Sequence, residues 1–184
     1  MSGTRAPIVV VTGLPGAGKS TVADLVAEAT GLPVLSLDTV KEAIVDEFDP
    51  DLRLDRFAVR RAARTVVVRL AAAWPRGGII DIWLNPVRDE SGFVDGVRAI
   101  PGATFLELVC RAPLEVVLAR YAARERHGAH LPMDRGSEER IREAAPHVGP
   151  FGLGPHRDVD TTRPLDDAVL TDLVSWLRDH GAAR

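Results

Sequence analysis

The chain has 184 residues, 46% hydrophobic and 27% charged, an ordinary globular composition for which one compact domain over residues 1–184 is expected. A net charge of −3 excludes the global basic surplus of proteins that hold nucleic acid along a long track. The single cysteine, Cys110, excludes an intramolecular disulfide, and the longest early apolar run, Ile8 to Val11, is too short for a signal peptide or a membrane span, so a cytoplasmic protein with no membrane partner is expected.

Along the chain, short apolar runs alternate with amphipathic stretches. Pro7 to Val11 reads as a first strand that ends at a glycine-rich turn. Val22, Leu25, Val26 and Ala29 then fall at helical spacing, and Gly31 closes that helix. Pro33 to Leu37 is a second strand, and Asp38 opens a helix whose buried face is Val40, Ile44 and Phe48. A long helix is predicted from Leu52 to Trp74 on an apolar stripe of Ala63, Val66, Val67, Leu70, Ala71 and Trp74. Gly77-Gly78 stops it. Gly78 to Ile82 is a third strand and Ala103 to Cys110 a fourth, followed by a helix on Leu114, Val117, Leu118 and Tyr121.

Residues 125–136 are charged and carry glycine, and read as an exposed lid. Ser137 to Ala145 is a short helix, and the stretch from Pro146 to Pro155, with three prolines and three glycines, is irregular. Residues 157–160 form a last strand and Leu165 to Asp179 a closing helix. This alternation predicts an α/β fold of three layers, with a parallel five-stranded sheet covered by helices on both faces.

The turn after the first strand, Gly13-Leu14-Pro15-Gly16-Ala17-Gly18-Lys19-Ser20, fits G-x-x-x-x-G-K-[ST] at every fixed position. Glycines let successive backbone N–H groups turn inward onto phosphate oxygens, and the helix that starts there, with Thr21 in its first turn, aims its positive end the same way. Lys19 can reach the β- and γ-phosphates, and Ser20 offers a hydroxyl to Mg²⁺. ATP and Mg²⁺ are therefore the expected cofactors. A GTPase would need N-K-x-D for guanine, but the only asparagine, Asn85, precedes proline. Asp89 and Gly92 fit D-x-x-G, yet lie off the third strand's end and are read as incidental.

Ligands of open parallel sheets sit outside the carboxyl ends of strands. Asp38, just after the second strand, is either the base that takes a proton from an acceptor hydroxyl or only the N-cap of its helix. Lys41, one turn later, shares its face and is positioned to hold a phosphate or the acceptor. Asp81, at the end of the third strand, is a candidate to hold Mg²⁺ through water or to orient the acceptor, with a plain strand-end carboxylate as the alternative.

Four blocks in order carry a resemblance to small P-loop kinases, a group that includes the bacteriophage-type polynucleotide 5′-hydroxyl kinases. They are the phosphate loop, Asp38-x-x-Lys41, Asp81-Ile82-Trp83-Leu84-Asn85-Pro86, and Arg120-Tyr121-Ala122-Ala123-Arg124. The resemblance implies a P-loop NTPase sheet of strand order 2-3-1-4-5, Asp38 as general base, and Arg124 steadying the transferring phosphoryl group. The arginine pair also looks like the lid start of nucleoside-monophosphate kinases, which places Arg120 on adenine. Val159-Asp160-Thr161-Thr162 is similar to chloramphenicol-phosphotransferase-like kinases, which places Thr161 at the nucleotide. Two departures stand out: Lys41 replaces an arginine fork by a point charge, and Ile82 and Trp83 replace small polar residues. Trp83 either stacks on the acceptor or belongs to the core.

The remaining polar groups divide between chemistry and solvation. Arg53, Arg56, Arg60 and Arg64 share a helix face, either a phosphate track or a solvated flank beside the acidic run Asp46 to Asp55. His127 and His130 lack metal spacing and are read as lid contacts to nucleotide or substrate. His147 and His156 flank the Pro/Gly stretch and are candidates to line the acceptor pocket, with no mechanism assigned, and Cys110 is read as packing. Three functions stay open: a kinase for a small hydroxylated molecule, a kinase for a nucleic acid 5′ end, and a nucleotide-binding regulator with little transfer. A monomer and a homodimer are both compatible with the sequence.

Overall fold

A computed structural model describes residues 6–48, 55–87, 91–125, 127–130 and 135–182. The central strand β1 (Ile8–Thr12) is buried at every position. Its alternate side chains feed two separate cores: Val9 and Val11 point to one face, Ile8 and Val10 to the other. β1 pairs in parallel with β3 (Gly78–Asp81) and β4 (Phe105–Arg111), and the edges are β2 (Val34–Ser36) and β5 (His156–Asp160). The order β2-β3-β1-β4-β5 is the one expected. Strands covered on both faces need continuous apolar runs, which explains Ile8-Val9-Val10-Val11 and Gly78-Ile79-Ile80.

Helices α1 (Lys19–Thr30), α5 (Leu114–Ala123), α6 (Arg135–Ala144) and α7 (Asp167–Asp179) supply side chains to one core, through Val22, Val26, Val117, Leu118, Ile141, Leu173 and Leu177. The opposite face is covered by α2 (Leu37–Asp46), α3 (Arg56–Ala73) and α4 (Ser91–Arg98). No helix among the described residues is long and apolar enough to cross a membrane.

Three local expectations are corrected. α2 begins at Leu37, and its N-cap is Ser36, whose Oγ accepts the Thr39 N–H at 3.3 Å, so Asp38 is released from the capping role. The helix stops at Asp46, which leaves Phe48 43% exposed in the following turn instead of on the buried face. In α3 the buried line is Val59, Ala63, Val67 and Ala71, a single ridge of four-residue spacing. Val66, Leu70 and Trp74, expected to share the buried stripe, are 39%, 40% and 44% exposed, because only that ridge meets the sheet. The predicted start of the helix at Leu52 lies outside the described residues. α4 was not foreseen at all: Gly92 and Gly96 weaken its helix propensity, while Phe93, Val97 and the following Ile100 bury its apolar side.

The Pro/Gly stretch before β5 is ordered by one carboxylate. Glu107, fully buried on β4, accepts the N–H groups of Phe151, of Leu153 (2.7 Å) and of Gly154 (3.4 Å). A side chain at Gly154 would bring Cβ to 2.1 Å from the Phe105 carbonyl, so the loop lies directly on the strand. Removing Glu107 strands three backbone donors. Glu107→Ala is expected to cost about 3 kcal/mol in urea unfolding, whereas Val66→Ala on the exposed flank of α3 stays within about 0.5 kcal/mol.

Candidate active site

The phosphate loop is pressed between its neighbours. Gly13 has φ 147° and Gly16 φ 91°, and a Cβ at either would approach the carbonyls of Cys110 or Val117 to 2.7 and 2.5 Å. Only glycine fits such positions. Gly18, in left-handed conformation, is the N-cap of α1 and provides no side-chain cap, so the first N–H groups of that helix are left for an anion. Lys19 Nζ donates to the Leu14 carbonyl at 3.1 Å, folding back over its own loop. Thr21 is exposed in the first helical turn.

The β1–β3 register aligns Val11 with Asp81, and this brings the end of β3 beside the loop. Ser20 Oγ donates to Asp81 Oδ2 at 2.8 Å. Asp81 is 6% exposed. Burial pushes its carboxyl above the ordinary value, the Lys19 charge and the Ser20 hydroxyl pull it back, and the charges of Asp38 and Asp24 add to the rise. The donor set fits a magnesium nucleotide. An uncapped helix N-terminus suits phosphate, and a hydroxyl beside a buried carboxylate gives hard oxygen ligands of the type Mg²⁺ prefers, with phosphates and water completing its shell.

Across the cleft, Asp38 stands just past the carboxyl end of β2. Its Oδ1 accepts from Lys41 Nζ at 3.1 Å, and its side chain is 55% exposed. Partial burial pushes the Asp38 carboxyl up, but Lys41, His130 and Lys19 together outweigh that and hold it below the ordinary carboxylate value. Asp38 is therefore ionised at neutral pH, as a proton acceptor must be. Lys41 also meets His130 Nδ1 at 2.8 Å, and His130 Nε2 meets Glu42 Oε1 at 2.5 Å. His127 Nε2 lies 2.8 Å from Asp46 Oδ1. Both histidines thus rest on carboxylates of α2, and Glu42 is a member of the cluster that sequence reasoning overlooked.

The end of the chain returns to the loop. Thr161, 6% exposed, has its Oγ1 at 2.7 Å from the Ala17 carbonyl and 2.9 Å from the Arg111 carbonyl. Arg120 forks onto the carbonyls of Thr161 (2.8 Å) and Thr162 (3.0 Å), which fixes the loop after β5 in place. Arg124, the C-cap of α5, is exposed. Trp83 is half-buried, packed against the core on the α1 side while lining a cavity on the other. Its carbonyl accepts from Arg60 Nη2 at 3.2 Å. Arg56 is exposed, and Arg53 lies outside the described residues. Burial pushes the Cys110 thiol up to about 12, which removes it as a nucleophile at neutral pH.

Glu107, too, escaped the sequence reading, although a lone acidic residue inside the apolar run Phe105 to Cys110 was a signal for it.

The parallel sheet in this order, the glycine loop running into α1, and the Ser20–Asp81 contact define a small P-loop kinase. The AAA domain family profile matches residues 8–145, and the chain belongs to that family. A UPF0200 protein from Aeropyrum pernix is 36% identical over 143 residues, 74% of this chain and 69% of the relative. Among solved structures, a candidate kinase from Chloroflexus aurantiacus is 25% identical with a TM-score of 0.77, covering 96% of this chain and 99% of that one. Shikimate kinase from Acinetobacter baumannii, in complex with shikimate, shares the fold at 16% identity and a TM-score of 0.61, over 96% of this chain and 93% of its own.

The two carboxylates of the cleft predict opposite pH effects on stability. Asp38, lowered in the folded state, stabilises above its ordinary value of 3.8, and this is lost as pH falls through its folded value. Asp81, raised in the folded state, destabilises at neutral pH, and that penalty lifts as pH falls through its folded value toward 3.8. Asp81→Asn is therefore expected to raise the nucleotide-free unfolding midpoint at pH 7. The gain shrinks on acidification, and Mg²⁺-dependent nucleotide affinity is lost. Denaturant titrations at several pH values, with and without Mg²⁺ and ATP, check both statements.

Proposed function

We propose that this kinase transfers the γ-phosphoryl group of ATP to a hydroxyl of a small-molecule acceptor, with Asp38 as general base. The observation that carries this reading is an ionised carboxylate at the carboxyl end of β2, braced by Lys41 and facing the phosphate loop's charge through Lys19. Bound as its magnesium complex, ATP supplies the activated phosphoryl group, with Ser20 and Asp81 as the protein ligands to the metal side.

The protein's part is to place and neutralise. The N–H groups at the start of α1 and Lys19 hold the phosphates, Lys19 exchanging its Leu14 carbonyl for phosphate oxygen. Arg124, exposed at the lid's start, adds positive charge to the group in flight. The acceptor oxygen bonds to the γ-phosphorus, the bond from that phosphorus to the bridging oxygen breaks, and ADP leaves with the electron pair. The hydroxyl proton passes to Asp38 and on to solvent. Orientation and charge stabilisation carry the rate, without a covalent enzyme intermediate.

A small acceptor is favoured over a nucleic acid end by the net charge of −3 and by Arg60, which is turned to the Trp83 carbonyl instead of forming an open phosphate track. The fold-level likeness to a shikimate kinase points the same way. Asp38→Asn is expected to lower transfer from γ-labelled ATP by about 10²–10⁴-fold with the KM for ATP nearly unchanged. Lys19→Ala loses about a hundredfold or more and weakens ATP binding as well. Full activity in Asp38→Asn removes the base assignment, and Lys19-dependent labelling of a 5′-hydroxyl oligonucleotide replaces the small acceptor by a nucleic acid end.

A further inference from the structure

A cavity of about 240 Å³ opens where β1 and β3 end, walled by Thr12, Trp83, Asn85, Pro86, His147 and Phe151 among others. Its position ties it to the chemistry. Thr12 directly precedes Gly13 of the phosphate loop, and Trp83 and Asn85 follow Asp81, whose carboxylate holds Ser20. A molecule seated there lies at the shared end of the two strands that carry the phosphate loop and the metal-side carboxylate.

The wall is specific in what it omits. Among the described residues that line it there is no lysine, arginine, aspartate or glutamate, and His147 is the one ionisable side chain. A carboxylate or phosphate buried against such a wall would lose its hydration without a partner, a cost no apolar contact offsets. Trp83, Pro86 and Phe151 instead offer flat apolar surface, and Thr12 and Asn85 bring a hydroxyl and an amide to it. The far wall is held rigid: Glu107 takes the Phe151, Leu153 and Gly154 N–H groups, and Gly154 has no room for a Cβ against Phe105. Preorganisation of this kind belongs to a binding site more than to a gap in packing.

We propose that this cavity seats the acceptor, and that the acceptor is an uncharged, ring-bearing alcohol. The inference rests on the kinase reading above and narrows it: the described residues that line the seat offer no lysine or arginine to an anionic acceptor, a nucleic acid 5′ end included.

Two measurements on the full chain test it. The protein has three tryptophans, so Trp74→Phe with Trp176→Phe leaves Trp83 as the sole emitter. That variant is titrated with matched sets of ring-bearing alcohols, one neutral and one carboxylated or phosphorylated, and the unmodified chain is assayed on the same sets with γ-labelled ATP. Neutral members are expected to change Trp83 emission and to take up label. Trp83→Ala and Phe151→Ala are expected to raise the KM for the labelled acceptor about tenfold, leaving the KM for ATP within about twofold.

Trp83 emission indifferent to every alcohol, or label entering only the anionic set, overturns the cavity as the acceptor seat. An acceptor KM unmoved by both variants does the same, and in each case the kinase reading stands where label is transferred. Trp83 emission that responds to neutral alcohols while no label leaves ATP keeps the seat and overturns the kinase reading.

Discussion

Parallel register between β1 and β3 sets Val11 opposite Asp81, and nearly everything at the site follows from that one alignment. The strand that launches the phosphate loop and the strand that delivers a buried carboxylate must end level for Ser20 Oγ to reach Asp81 Oδ2 at 2.8 Å. A slip of a single residue would turn Asp81 to the opposite face of the sheet. The register is guarded by burial on both faces, since Ile79 and Ile80 fill different cores and neither can exchange places without exposing or crowding a side chain. Packing energy thus fixes the Ser20–Asp81 distance. The cost is borne by Asp81 itself, an acid held in a buried place that disfavours its charge.

Around that fixed point the other groups are more loosely coupled. Asp38 and Lys41 ride on α2, whose start is defined by a backbone-directed cap at Ser36 and not by the carboxylate. Because Ser36 takes the capping role, the Asp38 carboxylate meets Lys41 instead of the helix's own N–H groups. His127 and His130 rest on Asp46 and Glu42 of the same helix, so α2 also presents acidic groups to the segment after α5. On the opposite side, Arg120 and Thr161 join α5, the loop after β5 and the phosphate loop into one hydrogen-bonded corner.

Sequence carried much of this because local and global signals agree. The glycine spacing, the apolar runs and the helical periodicity of Val22 and Val26 each point to the same elements, and strand-end placement alone picked out Asp38 and Asp81. What the sequence hid depended on tertiary partners. Val66, Leu70 and Trp74 continue the periodicity of α3, but periodicity does not say how wide a contact the sheet will offer. α4 is written with Gly92 and Gly96, poor helix formers whose helix is decided by packing of Phe93 and Val97. Glu107 looks like an interruption of a strand until the loop whose N–H groups it collects is in view, 44 to 47 residues away. The contacts of Arg120 and Thr161 to backbone carbonyls are invisible for the same reason: carbonyls leave no trace in residue identity.

The hydroxyl of Thr161 on the Ala17 carbonyl has a consequence for how the protein comes into being. The phosphate loop is spelled out within the first 20 residues, yet the contact that clasps its backbone comes from a residue 144 positions downstream. During synthesis the loop, α1 and β1 leave the ribosome long before β5 exists, and their neighbours β3 and β4 must also arrive before the sheet can form. A nascent chain therefore lacks this clasp on the loop until β5 has emerged. The backbone of a loop written near the start of the sequence is in this sense completed by a strand written much later.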